Sequence, residues 1–181
     1  LEEAMKTHDK NRGEIEYLWD YYRGKQPILG RTKDVRPEIC NKIVENRANE
    51  IVSFKVGYLC GEPIQYVGRS GDDVVSTGIQ QLNEMMFSES KATQDKELVE
   101  WQMICGTGYR MILPKDDRAA KVPFDIWTAD PRNTFVVYMN DIGDTPLCGV
   151  YYTVSDNGDV TFHVYTKDTY YRVEGWQSGK I

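Results

Sequence analysis

Apolar residues in the first part of the chain recur at helical spacing. Over about residues 2–22, one stripe contains Ile15, Leu18, Trp19 and Tyr22. Residues three and four positions apart lie on one face of a helix, so this segment predicts a first amphipathic helix. Gly24 follows in the position that a C-terminal glycine takes and is expected to end that helix.

A second helix is predicted from Pro37 to about Leu59. Proline suits the first helical turn because its missing N–H has no partner there. The helical period persists for about six turns through Ile39, Ile43, Val44, Ala48, Ile51, Val52 and Leu59. Gly61-Glu62-Pro63 is expected to end this helix, and the alternating residues 64–67 predict a short strand.

Two more helices and six strands complete the pattern. Residues 69–73 predict an exposed turn, and helices are predicted at about 76–87 and 93–105. From Tyr109 the apolar period changes to two, which is typical of strands. The strands are predicted at 109–113, 124–128, 134–139, 147–154, 160–166 and 170–174. Asn157-Gly158 is the strongest hairpin signal and lies between the fourth and fifth strands.

This order of elements predicts an α+β fold, with N-terminal helices followed by an antiparallel β-meander. No segment has the composition of a linker. Residues 1–181 are therefore expected to form a single domain, helical over about 1–108 and β-rich over about 109–181. The polar N-terminus does not resemble a secretory signal. Because the chain lacks an initiator methionine, we expect it to be a fragment of a longer protein.

The composition narrows the classes of function. The chain carries 28 acidic and 22 basic residues, a net charge of −6. Domains that grip nucleic acid usually present a basic face, so this balance argues against a DNA-binding module, although it is compatible with a wall past which DNA slides. The longest apolar runs are far shorter than the ~20 residues of a membrane helix.

The cysteines do not form a metal-binding pattern. Without a CxxC pair, they indicate reduced, buried or half-buried thiols rather than zinc ligands. They are Cys40, Cys60, Cys105 and Cys148. No metal or cofactor is expected.

Basic side chains concentrate after the first helix. Residues 23–36, called the basic segment below, contain Arg23, Lys25, Arg31, Lys33 and Arg36. A solvated loop is the favoured interpretation, and contact with an acidic neighbour or with nucleic acid is the alternative.

Few residues suggest catalysis. Gly106-Thr107-Gly108 follows a helix and precedes a strand, the reverse of a dinucleotide-binding loop, and is expected to stop the helix. His8 lies near a terminus expected to fray, and His163 alternates with apolar residues in a strand. Asp130-Pro131-Arg132 is interpreted as a turn with a structural ion pair. The alternative hypothesis is a small hydrolase that uses Asp130 and Arg132 with His163.

Several motifs occur in the order found in SPP1-like phage portal proteins. They are Tyr21-Tyr22-Arg23-Gly24-Lys25-Gln26, a helix that starts at Asn41-Lys42-Ile43-Val44-Glu45-Asn46 and ends at Val56-Gly57-Tyr58-Leu59-Cys60-Gly61-Glu62-Pro63, Trp101-Gln102-Met103-Ile104-Cys105-Gly106-Thr107-Gly108-Tyr109, and Asp130-Pro131-Arg132-Asn133-Thr134-Phe135-Val136-Val137-Tyr138. Over about residues 17–153, the chain therefore resembles the outer wing region of a portal subunit.

This resemblance implies a structural role. Portal subunits of the family form a ring, usually of twelve, at one vertex of the capsid. The ring nucleates the shell, conducts double-stranded DNA during packaging and ejection without reading its sequence, and docks terminase and the head-tail adaptor. The chain is therefore expected to be a homo-oligomer of the virion, present in the host cytoplasm during assembly, without enzymatic activity, cofactor or membrane contact.

The resemblance also implies roles for individual residues. The core of the wing is expected to contain Trp19, Ile43, Ile51 and Trp101. The basic segment is expected to contact a neighbouring subunit, or the capsid or scaffold protein.

Overall fold

Helices occupy the first part of the chain and strands the second. The computed structural model describes residues 2–69, 73–117 and 120–177. Within these residues the helices are α1 (Glu2–Tyr22), a 3₁₀ helix (Pro27–Gly30), α2 (Arg47–Cys60), α3 (Asp73–Ser88) and α4 (Lys91–Cys105). The strands are β1 (Tyr109–Pro114), β2 (Phe124–Ala129), β3 (Thr134–Tyr138), β4 (Pro146–Val154), β5 (Asp159–Thr166) and β6 (Tyr170–Gln177). The α+β fold class is confirmed.

The strands form two sheets. β1 and β2 pair with each other, and the order β3-β4-β5-β6 makes an antiparallel meander of four strands. The predicted turn between β4 and β5 is confirmed: Gly158 has a φ of 83°, and its N–H donates to the Ser155 carbonyl at 2.9 Å. Glycine takes this left-handed conformation without the steric cost that a side chain carries.

The internal contacts of the chain divide it into two compact units. Unit 1 combines Leu1–Glu16 with Ala129–Ile181, and unit 2 is Tyr17–Thr128. The expectation of a single domain over residues 1–181 stays a prediction.

In unit 1 the first part of α1 packs on the four-stranded sheet. The buried core of this unit contains Met5, Phe135, Val150, Tyr152, Val160 and Phe162. His8 is also buried, and its ring stacks on that of Phe135 with centroids 4.5 Å apart. The expectation of a frayed terminus at His8 is wrong, because the buried face of α1 extends from Met5 through His8 and gains packing against the sheet.

In unit 2 the end of α1 lies against α4. The Trp19 and Trp101 rings stack with centroids 4.5 Å apart, and the Tyr22 hydroxyl donates to a Glu100 carboxylate oxygen at 2.6 Å. Both tryptophans are half-buried and pack on each other, and their place in the core of a wing stays a prediction. α2 also contacts α4, and the buried residues of α2 are Val52 and Cys60.

Two residues expected in the core are exposed. Ile43 and Ile51 have 77% and 55% of their surface accessible. The prediction is wrong for Ile43 because this residue precedes α2. It is wrong for Ile51 because the buried face of α2 includes Val52, one residue further along the helix and about 100° around it.

The second helix starts ten residues later than predicted, at Arg47 rather than Pro37. Arg36 has a φ of 54°, so the backbone ahead of Pro37 is left-handed rather than helical. Asn46 caps the observed helix, since its side-chain oxygen accepts a hydrogen bond from the Asn49 N–H at 3.2 Å. The helical start of the motif at 41–46 is therefore also wrong: these six residues are not helical.

The predicted strand at 64–67 is absent from the described residues. The side-chain amide of Asn83 instead pairs with the backbone of Tyr66, accepting from its N–H and donating to its carbonyl, each at 2.9 Å. An amide side chain thus supplies the hydrogen bonds that a neighbouring strand normally supplies. The predicted helices at 76–87 and 93–105 are confirmed as α3 and α4. Much of the predicted turn at 69–73 lies outside the described residues.

Candidate interaction surface

The basic segment is ordered by hydrogen bonds from its flanks. The Asn46 side-chain amide donates to the Tyr22 carbonyl at 2.8 Å, and the Lys42 ammonium donates to the Leu29 carbonyl at 2.7 Å. The Gln26 amide donates to the Glu45 carbonyl at 3.2 Å. These contacts connect the two ends of the loop, so the segment presents its charges from a defined backbone.

The five basic side chains divide into two groups. The Lys25 ammonium pairs with Asp20 at 3.0 Å, and that of Lys33 donates to the Ile39 carbonyl at 2.9 Å. Arg23, Arg31 and Arg36 are exposed, and within residues 2–69, 73–117 and 120–177 their guanidinium groups have no hydrogen bond or ion pair. These three arginines are the available part of the candidate site, whereas the two lysines also serve the local structure.

An apolar stripe on α2 lies exposed. Phe54 and Tyr58 have 73% and 82% of their surface accessible, and their rings stack with centroids 6.5 Å apart. Together with Ile51 they form what we call the α2 outer face. The residues lie at positions i, i+3 and i+7, so they share one side of the helix. Sequence reasoning missed this surface because it assigned one apolar face to a helix that has two.

An open groove of about 880 Å³ lies between α3 and residues 66–68. Its lining includes Tyr66, Ile79, Asn83, Phe87 and Lys121. The Asn83 amide hydrogen-bonds the Tyr66 backbone and so is occupied by the fold.

The candidate catalytic residues have structural contacts. The Arg132 guanidinium Nε lies 3.0 Å from the Asp130 carboxylate, and the Arg132 backbone N–H donates to the same carboxylate at 2.9 Å. The interpretation as a turn with an ion pair is confirmed. His163 Nδ1 lies 2.7 Å from the Tyr170 hydroxyl, and among the described residues no carboxylate oxygen hydrogen-bonds this imidazole. The geometry on which the hydrolase hypothesis depends is therefore not found among them.

The buried histidine also has its partners in the fold. Its Nε2 lies 3.0 Å from the Arg132 carbonyl and 3.3 Å from the Tyr152 hydroxyl. A carbonyl only accepts, so Nε2 carries the proton and donates it. Burial lowers the pKa of His8, against the opposing effects of the Arg132 carbonyl and of Asp9. The neutral imidazole is therefore a structural hydrogen-bond donor.

A comparison with known protein families decides between these interpretations. The sequence matches the family described as "Phage portal protein, SPP1 Gp6-like" over residues 2–180. The chain belongs to this family. No curated protein sequence matches it.

Membership makes the chain a phage portal subunit. Portal proteins are structural components of the capsid vertex and assemble as oligomeric rings, and the family is not a family of enzymes. The matched range includes the basic segment, the α2 outer face and both sheets.

Three further observations characterise the portal subunit. All four cysteines lie among the described residues and none of them forms a disulfide there, with Cys60 buried and the others half-buried, as predicted. Within the described ranges, no three metal-ligating side chains come together. None of the helices described is both long and apolar enough to cross a membrane.

Proposed function

We propose that this portal subunit forms a ring, usually of twelve copies, through which double-stranded DNA enters and leaves the capsid. The ring serves as the docking site for terminase during packaging and for the head-tail adaptor afterwards. The chain contributes the outer wing of each subunit. The family match over residues 2–180 is the observation that carries this proposal.

The exposed surface of unit 2 supports a role in assembly. Interfaces between proteins combine an apolar centre with a polar rim and are enriched in aromatic residues and arginine. The α2 outer face supplies Phe54 and Tyr58, and the basic segment supplies three arginines without a partner among the described residues. We therefore propose that the basic segment contacts a neighbouring subunit or the capsid or scaffold protein.

The charge of the chain supports passage of DNA rather than its capture. The net charge is −6, and like charges repel over about a Debye length, ~8 Å at physiological ionic strength. A wall of this kind does not hold the DNA that moves past it. Terminase, rather than the portal subunit, then supplies ATP hydrolysis, and the subunit has no enzymatic activity of its own.

Electron microscopy of the protein as encoded tests the proposal. We expect closed rings of twelve or thirteen subunits with a central channel. A protein that stays monomeric at every concentration in light scattering contradicts it. The described chain by itself is expected to be a monomer or a weak dimer in the same measurement.

A DNA-binding assay separates the conduit from a DNA-binding module. A module that grips DNA shows affinity that falls steeply with salt, because phosphate contacts release counterions. We expect no such binding by the isolated chain between about 50 and 200 mM salt.

A further inference from the structure

The turn between β3 and β4 exposes an apolar side chain and is closed by hydrogen bonds. Ile142 is fully exposed at the centre of residues 139–145, which we call the hairpin tip. The Met139 N–H donates to the Thr145 carbonyl at 2.8 Å, and the Thr145 N–H donates to the Asp141 carboxylate at 3.0 Å. These two hydrogen bonds close the turn around Ile142, and neither of them involves its side chain.

The hairpin tip is acidic. It contains Asp141 and Asp144 and no basic residue. The hydrogen bonds from Thr145 lower the pKa of Asp141, so this carboxylate stays ionised. Met139 is exposed beside them and adds apolar surface.

The basic segment is complementary to the hairpin tip in charge, and both expose apolar side chains. It contains five basic residues and one acidic residue, Asp34, in a chain whose net charge is −6. Leu29 and Val35 are exposed within it, so it also combines charge with apolar surface. Opposite charges around apolar contacts are the usual arrangement of a specific protein interface.

We propose that the hairpin tip of one portal subunit docks on the basic segment of the next subunit. This inference rests on the proposed ring and names the pair of surfaces that joins its members. Two different complementary patches on the same chain make a head-to-tail contact, and such contacts close into rings under rotation. A second copy of this chain carries the matching surface at equal stoichiometry, which favours it over another partner.

The test uses two variants of the protein as encoded. The tip variant is Ile142→Arg, which removes the apolar side chain and places a positive charge opposite the arginines. The segment variant combines Arg31→Glu with Arg36→Asp, since aspartate tolerates the left-handed backbone at position 36. Val154→Arg is the matched control, because Val154 is an exposed residue at the other end of β4. Circular dichroism checks that each variant folds.

We expect each variant alone to associate at least about tenfold more weakly in analytical ultracentrifugation, and the control to assemble as the parent does. An equimolar mixture of the two is expected to assemble again. In a ring in which the two variants alternate, the unchanged tip of the segment variant contacts the unchanged basic segment of the tip variant. At every other contact, the new arginine of the tip variant faces the new carboxylates of the segment variant. Recovery on mixing requires a contact between different chains.

Three outcomes overturn the proposed contact. The two variants assemble like the parent, or they fail alone and also fail together. Alternatively, the tip variant assembles normally while the segment variant loses salt-sensitive DNA binding or binding to the shell, which assigns the basic segment to DNA or to the capsid. In each case the parent still forms rings. A parent that forms no ring contradicts the proposed function itself.

Discussion

The imidazole of His8 stacks on the ring of Phe135 at 4.5 Å, with an angle of 28° between the two planes. This contact joins the first part of α1 to strand β3 inside unit 1. It places one of the two histidines of the chain in a core where a charged ring has little solvation.

The buried histidine predicts that stability falls at acidic pH. The unfolded chain protonates His8 near its ordinary pKa of 6.5, whereas burial lowers the pKa of the folded state. The unfolded state then binds more protons at this residue, so the contribution of His8 to the free energy of unfolding is fully present above pH 6.5. The contribution of His8 decreases as the pH falls toward its folded pKa, by at most about 1.4 kcal/mol per pH unit. Urea unfolding measured at several pH values from above 6.5 downward gives the slope, that is, the change of the free energy of unfolding with pH.

The charged groups near His8 are Asp9 and Arg12, and its hydrogen-bond partners are the uncharged Arg132 carbonyl and Tyr152 hydroxyl. His8→Gln is expected to reduce the slope because it removes the titrating group. The matched control His163→Gln keeps His8 and is expected to keep the slope. If His8→Gln unfolds with the same pH dependence as the parent, the prediction is wrong.

The Asn83 side-chain amide is expected to stabilise the backbone around Tyr66, with which it forms two hydrogen bonds. In Asn83→Ala both backbone groups of Tyr66 lose their partner, and we expect a loss of about 1–3 kcal/mol of stability. Asn83→Asp keeps the acceptor and loses the donor, so its loss of stability is expected to be smaller than that of Asn83→Ala. Chemical denaturation measures the loss, and hydrogen exchange at the Tyr66 amide measures the local effect.

Gln80→Ala is the control for that experiment. Gln80 is exposed on the same helix and hydrogen-bonds only the Glu84 side chain among the described residues. We expect it to change stability by less than about 0.5 kcal/mol. Equal losses in the two variants would show that the amide has no special role.

Asp95 holds two cations inside unit 2. It accepts from Arg110 at 2.6 Å and pairs with Lys91 on the same helix, and both Asp95 and Lys91 are buried. Asp95→Asn leaves two positive charges without their counter-ion, so we expect a loss of about 3–5 kcal/mol. Glu97→Gln, on the exposed side of α4, is expected to change stability by less than about 0.5 kcal/mol. Thermal unfolding compares them, and a small loss for Asp95→Asn argues against a tight ion cluster.

Two glycines predict opposite effects of the same substitution. A Cβ on Gly108 would lie 2.9 Å from the Leu98 carbonyl oxygen and 3.0 Å from Leu98 Cδ1, so Gly108→Ala is expected to cost about 1–3 kcal/mol. Gly78 lies in α3 with open space around it, and Gly78→Ala is expected to stabilise by about 0.5–1 kcal/mol. The urea midpoints of the two variants, compared with that of the parent, show whether each substitution stabilises or destabilises the protein. A neutral result at Gly108 means that strand β1 moves away from α4 at low cost.

Gly106 and Gly108 show how much of one turn can be predicted from the sequence. Gly106 was predictable as a helix stop, and its φ of 75° with an N–H bonded to the Gln102 carbonyl agrees. The need for Gly108 has a different origin, the close approach of α4, which no local pattern contains. A single motif thus combines a local signal with a tertiary one.

The sequence predicted which basic residues the candidate site contains, but not which of them are exposed without a partner among the described residues. The five basic residues of the basic segment are evident in the sequence. Which of them are used internally depends on the positions of Asp20 and the Ile39 carbonyl, and so only the fold distinguishes the lysines from the arginines. The α2 outer face escaped prediction because Phe54 and Tyr58 are apolar, and apolar periodicity alone does not say which face is buried.

The sequence by itself determined the α+β class, the extent of α1, α3 and α4, and every strand of the meander. Each of these depends on a periodicity or a turn residue that acts over a few positions. Tertiary structure decided where α2 begins, the conformation of residues 64–67, and the burial of His8. Those outcomes depend on Asn46, Asn83 and Phe135, whose effects come from contacts with residues in other elements or from a cap that competes with a longer helix. Local propensity is weak beside such contacts, so packing prevails where the two disagree.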